Sequence, residues 1–268
     1  MASTVLITGA SQGSGKATAH LFAQNGYSVV LAARQPERLE AVAQDIRAKG
    51  GDALAISTDV TNPEQVQELV DKALSQYGQI DVLINNAGIC LTGSVEKTEL
   101  SDWHQLMDTN FFGYVYTIEA LLPHFLTRKT GSIINVGSFG GKMPLPEMTA
   151  YCASKYAVTG LTESLRLELE PKGIFVSAVH PGVIKSSFME RAMFRGEDDS
   201  EAESRRQQMN QVLQSPWVSQ PEDIAQAIWD ALQEQRSEVV VGPTVIAAQA
   251  YRWFPDLITW MMKLANRR

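Results

Sequence analysis

Short apolar runs alternate with longer helical patterns along most of this 268-residue chain. Such alternation is typical of repeated strand–helix–strand units, whose strands pair in parallel and are covered by helices on both faces. Seven runs are predicted to be strands: Val5–Thr8, Val29–Ala32, Ala53–Ser57, Val82–Asn85, Ser132–Val136, Phe175–Val179 and Val239–Val241. The sequence therefore predicts an α/β fold with a doubly wound, seven-stranded parallel sheet.

Local signals mark the helices between these strands. Asn62 and Pro63 followed by Gln65 predict a helix start with a reciprocal cap. A further helical pattern covers Asp108–Leu122. The sequence contains no linker, repeat or low-complexity segment, so residues 1–268 are predicted to form one domain.

Composition and charge exclude several classes of function. A net charge of −7 disfavours a nucleic-acid partner, because phosphate binding needs a concentrated basic surface. The first residues enter a strand without the basic and apolar regions of a secretory signal. The two cysteines, Cys90 and Cys152, and the four histidines lack metal-ligand spacing. We therefore expect a cytoplasmic protein with no metal site and no nucleic-acid partner.

A glycine-rich turn follows the first predicted strand and precedes the first helical pattern. Its glycines let the backbone turn tightly and approach a ligand, and the free amides at a helix start attract a pyrophosphate. On this motif alone, a purely structural turn is the alternative. The candidate cofactor-binding residues of the turn are Gly9, Ser11, Gln12, Gly13, Ser14 and Gly15.

Tyr151 and Lys155 are four residues apart in a helical pattern, so they share one face of the helix. A lysine cation beside a phenol favours the phenolate and lowers a pKa that is ordinarily about 10. A tyrosine tuned in this way can act as a general acid or base. Taken in isolation, an exposed surface pair is the more frequent interpretation of this spacing.

Together, these segments resemble the single-domain members of the short-chain dehydrogenase/reductase family. The motifs are TGASQGSG at 8–15, Asp59-Val60, NNAG at 85–88, Asn110, Ser138, Tyr151-x-x-x-Lys155 and Pro181-Gly182 followed by Ser186. Their order and spacing match from Val5 to Val241. The resemblance implies a Rossmann-type domain and an oxidoreductase that moves a hydride to or from a nicotinamide.

The resemblance also implies a catalytic role for four residues. Tyr151 would exchange a proton with the substrate oxygen, and Ser138 would donate a second hydrogen bond to it. Lys155 would lower the pKa of Tyr151 and bind the nicotinamide ribose. Asn110 would hold a water that links the lysine to solvent. Because all four are present, a degenerate site is disfavoured.

Relatives hold the dinucleotide with further residues along the chain. Some flank the adenine, some let the backbone run close to the ribose, and the last group contacts the carboxamide. The positions carried over are Asp59, Val60, Asn86, Ala87, Gly88, Tyr151, Lys155, Pro181, Gly182, Ile184 and Ser186.

Arg34 follows the second predicted strand, where an acid would bind the adenosine ribose of NAD. An arginine there can bind a 2′-phosphate in a fork, so the sequence predicts NADP(H) in preference to NAD(H). Gln12 is a departure, since many relatives that prefer NADP carry a basic residue in the glycine-rich turn. Ser11 could still donate to the phosphate.

The loops after the fourth, fifth and sixth strands are expected to build the substrate pocket. Their apolar, methionine-rich side chains suit a hydrophobic ketone or secondary alcohol better than an anionic sugar. Segment 186–215 is predicted to be a mobile lid over this pocket. The pocket candidates are Ile89, Cys90, Phe139, Met143, Leu145, Met148, Phe188, Met193, Phe194 and Trp217.

Three functions are compatible with these motifs. The leading hypothesis is an NADP(H)-dependent carbonyl reductase or alcohol dehydrogenase. The intact catalytic set disfavours a silent NADP-binding regulatory protein, and the short chain disfavours a dinucleotide-dependent epimerase or dehydratase. Since relatives commonly assemble, we expect a homo-tetramer, or else a homo-dimer, formed through Ser101–Arg128 and Ala150–Glu170.

The tail, residues 251–268, extends past the resemblance. Its apolar residues from Pro255 onward predict a helix, which is too short for a bilayer span of about 20 apolar residues. We expect the tail to pack on its own subunit or on a neighbour beside the substrate entrance, because exposing so much apolar surface is unfavourable. A helix lying on a membrane surface and a poorly ordered tail are the alternatives.

Overall fold

The computed structural model describes residues 2–185, 188, 192–214 and 218–265 of the chain. The strands are β1 (Thr4–Thr8), β2 (Ser28–Ala33), β3 (Asp52–Ser57), β4 (Val82–Asn85), β5 (Leu91–Thr92), β6 (Gly131–Val136), β7 (Ile174–Pro181), β8 (Met193–Phe194) and β9 (Glu238–Val241). Seven of them pair in parallel in the order β3-β2-β1-β4-β6-β7-β9. The predicted doubly wound sheet is confirmed, and each predicted strand overlaps an observed one.

Helices pack on both faces of the sheet. They are α1 (Gly13–Gln24), α2 (Pro36–Ala48), α3 (Pro63–Tyr77), α4 (Leu100–Met107), α5 (Gly113–Arg128), α6 (Thr149–Leu169), α7 (Asp199–Leu213), α8 (Pro221–Gln233), α9 (Thr244–Trp253) and α10 (Pro255–Ala265). Val5 and Ile7 of β1 lie in one apolar cluster with α1, α2 and α8, whereas Leu6 between them lies in another with α3, α5 and α6. The alternation of side chains along a strand thus divides the core into two layers.

The predicted helix over Asp108–Leu122 has wrong boundaries. α4 and α5 join through one π-type turn at Asp108–Phe112, and α5 continues past Pro123. Leu121 and Phe125, on either side of the proline, are fully buried in the core. Their packing outweighs the hydrogen bond that the proline removes.

The cap at the start of α3 is only partly as predicted. Asn62 Oδ1 accepts a hydrogen bond from the Gln65 amide at 2.8 Å, as expected. The Gln65 side chain, however, accepts from the backbone amide of Asp59 at 2.9 Å and not from that of Asn62. The cap therefore also fixes the loop between β3 and α3.

A ladder of buried polar side chains crosses the centre of the sheet. The Thr117 hydroxyl of α5 donates to Asn85 Oδ1 at 2.6 Å, and Asn85 Nδ2 donates to Asn135 Oδ1 at 3.0 Å. Asn135 Nδ2 then donates to the Thr162 hydroxyl of α6 at 2.9 Å. All four side chains are buried, so each depends on its neighbours for hydrogen bonds.

Replacing Asn135 by Ala should destabilise the fold strongly. The change leaves Asn85 Nδ2 and the Thr162 hydroxyl with one partner fewer in a dry core, and an unsatisfied buried group costs about 1–3 kcal/mol. We expect a loss of about 2–4 kcal/mol in the free energy of unfolding, measured by urea denaturation.

The matched control is Thr127→Ala, which removes an exposed hydroxyl that donates to the Pro123 carbonyl of its own helix. Surface changes of this kind usually stay within about 0.5 kcal/mol of wild type. Overlapping denaturation curves for Asn135→Ala and Thr127→Ala would contradict the role given to the ladder.

Candidate active site

The glycine-rich turn between β1 and α1 forms one wall of a cleft at the carboxyl edge of the sheet. Gly9 and Gly13 have positive φ angles of 67° and 55°, and a Cβ on Gly15 would collide with the Gly9 carbonyl. Among the described residues, no side chain caps the start of α1, and its first turn has no acidic residue. The free amides at this helix start fit an anionic pyrophosphate.

Asn86 fixes the turn from the side of β4. Its Oδ1 accepts from the Ser14 hydroxyl at 2.8 Å, and its Nδ2 donates to the Thr8 carbonyl at 3.1 Å. The Thr8 hydroxyl in turn accepts from the backbone amides of Asn86 and Ala87. Thr8 was not among the predicted site residues, although it is the last residue of the first predicted strand.

A cleft of about 370 Å³ joins this turn to the catalytic helix α6. Gly15 and Asn110 were predicted for the site but are not among the residues that line the cleft, and Ser186 lies outside the described residues. The predicted catalytic and cofactor residues that do line it are Gly9, Ser11, Gln12, Gly13, Ser14, Arg34, Asp59, Val60, Asn86, Ala87, Gly88, Ser138, Tyr151, Lys155, Pro181, Gly182 and Ile184.

Tyr151 and Lys155 lie on the buried face of α6, with only 6% and 3% of their surface exposed. Lys155 Nζ donates to the Val136 carbonyl at 3.1 Å and lies 5.5 Å from the centre of the Tyr114 ring. The Tyr114 hydroxyl donates to the same carbonyl at 2.9 Å. The end of β6 and the aromatic ring therefore fix the position of the ammonium group.

Burial controls the titration of these groups. It raises the pKa of the Tyr151 phenol, although a hydrogen bond with Ser138 acts to lower it. Burial also lowers the pKa of the Lys155 ammonium to about 8 and raises the pKa of the Cys90 thiol to about 12. The structure thus departs from the predicted lowering of the Tyr151 pKa, because loss of hydration is the larger effect.

Asn110 is fully buried in the π-type turn between α4 and α5. Its Oδ1 accepts from the Ile89 amide at 2.8 Å, and its Nδ2 donates to the Ile89 carbonyl and the Ser154 hydroxyl, both at 3.0 Å. Gly88 lies between Asn110 Oδ1 and Lys155 Nζ, where a Cβ would touch both. Asn110 therefore ties the loop after β4 to α6 beside the lysine.

His180, fully buried in β7, supports the segment that carries Ser138. Its Nδ1 lies 3.2 Å from the Ser138 carbonyl, and its Nε2 lies 3.1 Å from Glu238 Oε1, within ion-pair distance but off the ideal hydrogen-bond direction. Lys142 Nζ also donates to Glu238, at 2.6 Å. The His180 contact, followed by that of Lys142, lowers the pKa of Glu238 to about 2.

Sequence reasoning did not predict that Lys142, His180 and Glu238 lie together. Nothing in the spacing of residues 142, 180 and 238 indicates that they meet. Only the pairing of β7 with β9 places Val240 beside His180 and brings Glu238 to its ring.

The described part of the predicted lid, residues 188 and 192–214, covers the apolar end of the cleft. β8 pairs with β5, and Arg195 donates two hydrogen bonds to Asp102 at 2.9 and 2.6 Å. Phe188 and Met209 line the cleft, together with the predicted pocket residues Ile89, Cys90, Phe139, Leu145 and Met148. Met143, Met193 and Phe194 do not line it, and Trp217 lies outside the described residues. Movement of this segment stays a prediction.

Two arginines lie at or near the cleft where β2 leads into α2. Arg34 lines the cleft and is exposed, and no partner for its guanidinium group occurs in the described parts of the chain. Arg38, from the first turn of α2, donates to Gln12 Oε1 at 3.1 Å. The fold thus brings a second arginine to the glycine-rich turn, where the sequence has a glutamine.

The family model for short chain dehydrogenases matches residues 3–198. The chain belongs to the short-chain dehydrogenase/reductase family. The 3-oxoacyl-[acyl-carrier-protein] reductase of Staphylococcus aureus is 33% identical over 246 residues, which cover 91% of this chain and 96% of that protein.

Two solved short-chain dehydrogenases are similar over nearly the whole chain. One, from Burkholderia phymatum in complex with NAD, has a TM-score of 0.86 and 27% identity and covers 96% of this chain and 95% of its own. The other, from Sphingobium yanoikuyae in complex with NADPH, has a TM-score of 0.77 and 30% identity and covers 98% and 95%. This short-chain dehydrogenase is accordingly an oxidoreductase that uses a nicotinamide cofactor.

Replacing Glu238 by Gln should test the support behind Ser138. The pKa of Glu238 is about 2 in the fold and ordinarily 4.5, so its contacts stabilise the fold above pH 4.5 and the contribution is lost as the pH falls towards 2. We expect Glu238→Gln to cost on the order of 1–2 kcal/mol at pH 7, after allowance for solvent screening.

Urea denaturation of wild type and variant at several pH values measures this difference. Glu68→Gln is the control, since Glu68 forms only an exposed pair with Lys72 and should be worth less than about 1 kcal/mol. The gap for Glu238→Gln should close between pH 4.5 and 2. A gap that stays constant over this window would contradict the charge-based role.

Proposed function

We propose that this short-chain dehydrogenase is an NADP(H)-dependent carbonyl reductase that acts on hydrophobic ketones or, in reverse, on secondary alcohols. The observation that carries the proposal is that Tyr151 lines one cleft together with the glycine-rich turn and with apolar side chains. Ser138 and Lys155 line the same cleft. The intact set disfavours a silent regulatory protein, and we propose no epimerase or dehydratase activity.

Tyr151 is the general acid of the proposed reduction. A bound nicotinamide would supply the hydride. Negative charge then develops on the substrate oxygen, to which Tyr151 gives its proton and Ser138 donates a second hydrogen bond. Because burial raises the pKa of Tyr151, the phenol holds its proton at neutral pH. Lys155, cationic below about pH 8, stabilises the phenolate that remains.

The proposed preference for NADP(H) rests on two arginines, Arg34 after β2 and Arg38 in the first turn of α2. A 2′-phosphate suits Arg34, because a guanidinium group binds phosphate through two parallel hydrogen bonds. Arg38 supplies from α2 the second positive charge that the glycine-rich turn lacks at Gln12. The Ser11 hydroxyl lines the cleft beside them and can donate to the same phosphate.

The substrate proposal rests on the apolar end of the cleft. Aromatic, aliphatic and thioether side chains line it, and such walls favour ligands that lose little hydration on binding. A 3-oxoacyl thioester is the second candidate, because the Staphylococcus aureus relative is a 3-oxoacyl-[acyl-carrier-protein] reductase. Loss of nicotinamide absorbance with aryl ketones and with 3-oxoacyl thioesters would decide between them.

We also propose a cytoplasmic homo-tetramer, or else a homo-dimer, that assembles through α4, α5 and α6. Exposed apolar side chains on these helices support it, since such residues usually mark a contact surface. They include Leu100, Leu126, Tyr156 and Leu167.

Replacing Tyr151 by Phe should abolish turnover while NADPH binding stays nearly intact. The phenol oxygen serves the proton transfer, which is typically worth about 10²–10⁴-fold in rate. Steady-state assays with NADPH and a hydrophobic ketone, beside an NADPH fluorescence titration, separate the two effects.

Tyr156→Phe is the matched control, because this tyrosine is on the same helix and 41% exposed. It should keep wild-type kcat. If Tyr151→Phe retained more than about a tenth of the wild-type rate, Tyr151 would not be the general acid.

Replacing Arg34 by Ala should lower the affinity for NADPH about ten- to a hundred-fold and leave the affinity for NADH nearly unchanged. The reason is that a charge-assisted hydrogen bond contributes about 1.5–3 kcal/mol net. Arg38→Ala should act in the same direction with a smaller effect. Lys49→Ala, an exposed change at the end of α2, is the control for general loss of positive charge. Equal losses for both cofactors on titration would exclude phosphate recognition by Arg34.

A further inference from the structure

The last two helices expose a broad apolar surface. Leu257, Trp260, Met261 and Leu264 lie at helical spacing on one face of α10, and each is about half exposed. Trp253 at the end of α9 and Phe254 after it are 73% and 62% exposed. We call these six residues the tail surface. Isolated exposed apolar residues are ordinary, but six of them within twelve positions, three of them aromatic, indicate a contact site.

Of the two packings expected for the tail, on its own subunit or on a neighbour, the structure bears on the first. Packing on its own subunit would bury the tail surface, but α10 packs mainly against α9. The predicted helix from Pro255 onward is itself confirmed. The apolar face is therefore available to another partner.

The net charge of the tail is opposite in sign to the net charge of the rest of the protein. From Thr244 to the end, the chain has four of its 23 basic residues and one of its 30 acidic residues, which leaves 19 basic and 29 acidic residues for the remainder. Within the described residues, two cations, Arg252 and Lys263, and one anion, Asp256, lie beside or between the residues of the tail surface. The tail is thus cationic, whereas the remainder has a net charge of −10.

We propose that the tail surface binds the surface of an anionic lipid bilayer. Tryptophan and phenylalanine are favoured at the boundary between headgroups and acyl chains, and each nearby Lys or Arg adds attraction to anionic lipid. The acidic remainder is repelled by the same lipid, which leaves the tail as the favourable point of contact. Pairing of two tail surfaces would instead bring like positive charges together.

The contact lies on the bilayer surface and does not cross it. Within the ranges that the structure describes, no helix is both long and apolar enough to cross a membrane. A short helix with an apolar face and flanking cations is the type that lies in the interface plane. Thr244, the first residue of α9, packs on Gly182 of the cofactor cleft, so α9 connects the cleft to the tail surface.

Co-sedimentation of the full chain with vesicles tests the proposal. We expect pelleting with vesicles of phosphatidylglycerol and phosphatidylcholine in equal parts, and much weaker pelleting with pure phosphatidylcholine. Trp260→Ala should weaken binding about tenfold or more, because burial of a large aromatic side chain is lost. Joint replacement of Arg252 and Lys263 by Glu should abolish the preference for anionic lipid.

Two matched controls keep the test specific. Val95→Ala removes an apolar side chain between β5 and α4 that is 53% exposed, close to the 58% of Trp260, and Lys49→Glu reverses an exposed charge at the end of α2. Both should pellet like wild type, and the circular dichroism spectrum and urea denaturation curve of each variant show that it is folded.

Three results would overturn the proposal. The first is no pelleting with either vesicle, and the second is pelleting that Trp260→Ala leaves unchanged. The third is a concentration-dependent mass in light scattering that falls for Trp260→Ala without vesicles, which would assign the tail surface to a second copy of the chain. None of these results depends on the proposed substrate or cofactor.

Discussion

The hydrogen bond between the buried carboxamides of Asn85 and Asn135 fixes the two central strands from which the active site projects. The residue after Asn85 is Asn86, whose side chain holds the glycine-rich turn. The residue after Asn135 is Val136, whose carbonyl holds the ammonium group of Lys155. Because the carboxyl ends of parallel strands meet at one edge of a sheet, this buried contact, together with the backbone pairing of β4 and β6, holds the cofactor wall beside the catalytic helix.

Burial gives the site its chemical character. A phenol and an ammonium group on one helical face in water would titrate near their ordinary values, but Tyr151 and Lys155 lie in a nearly dry wall. Loss of hydration favours the neutral form of each group, so the phenol keeps its proton and the pKa of the ammonium falls to about 8. The aromatic ring of Tyr114 and the Val136 carbonyl compensate the lysine for part of the water that it loses.

The edge strand of the sheet, β9, supports the segment after β6 that carries Ser138. His180 contacts both the Ser138 carbonyl and the Glu238 carboxylate. Lys142, four residues after Ser138, donates a hydrogen bond to the same carboxylate. A buried polar network of this kind specifies one arrangement, since each member loses a partner if another moves. The serine hydroxyl is therefore placed by residues that never touch the cleft.

Local patterns in the sequence were enough to place the strands along the chain, the glycine-rich turn and the Tyr151–Lys155 pair, because apolar periodicity, glycine geometry and i,i+4 spacing are local properties. The order of the strands in the sheet came from the structure. Three contacts of the site became visible in the folded chain alone: Asn110 binds the loop after β4, Arg38 reaches Gln12, and Glu238 meets His180. Those contacts join residues that are 21, 26 and 58 positions apart, and no local pattern encodes them. The same holds for the tail: its helical periodicity was readable, but whether its apolar face is covered depends on which surfaces the completed fold leaves beside it.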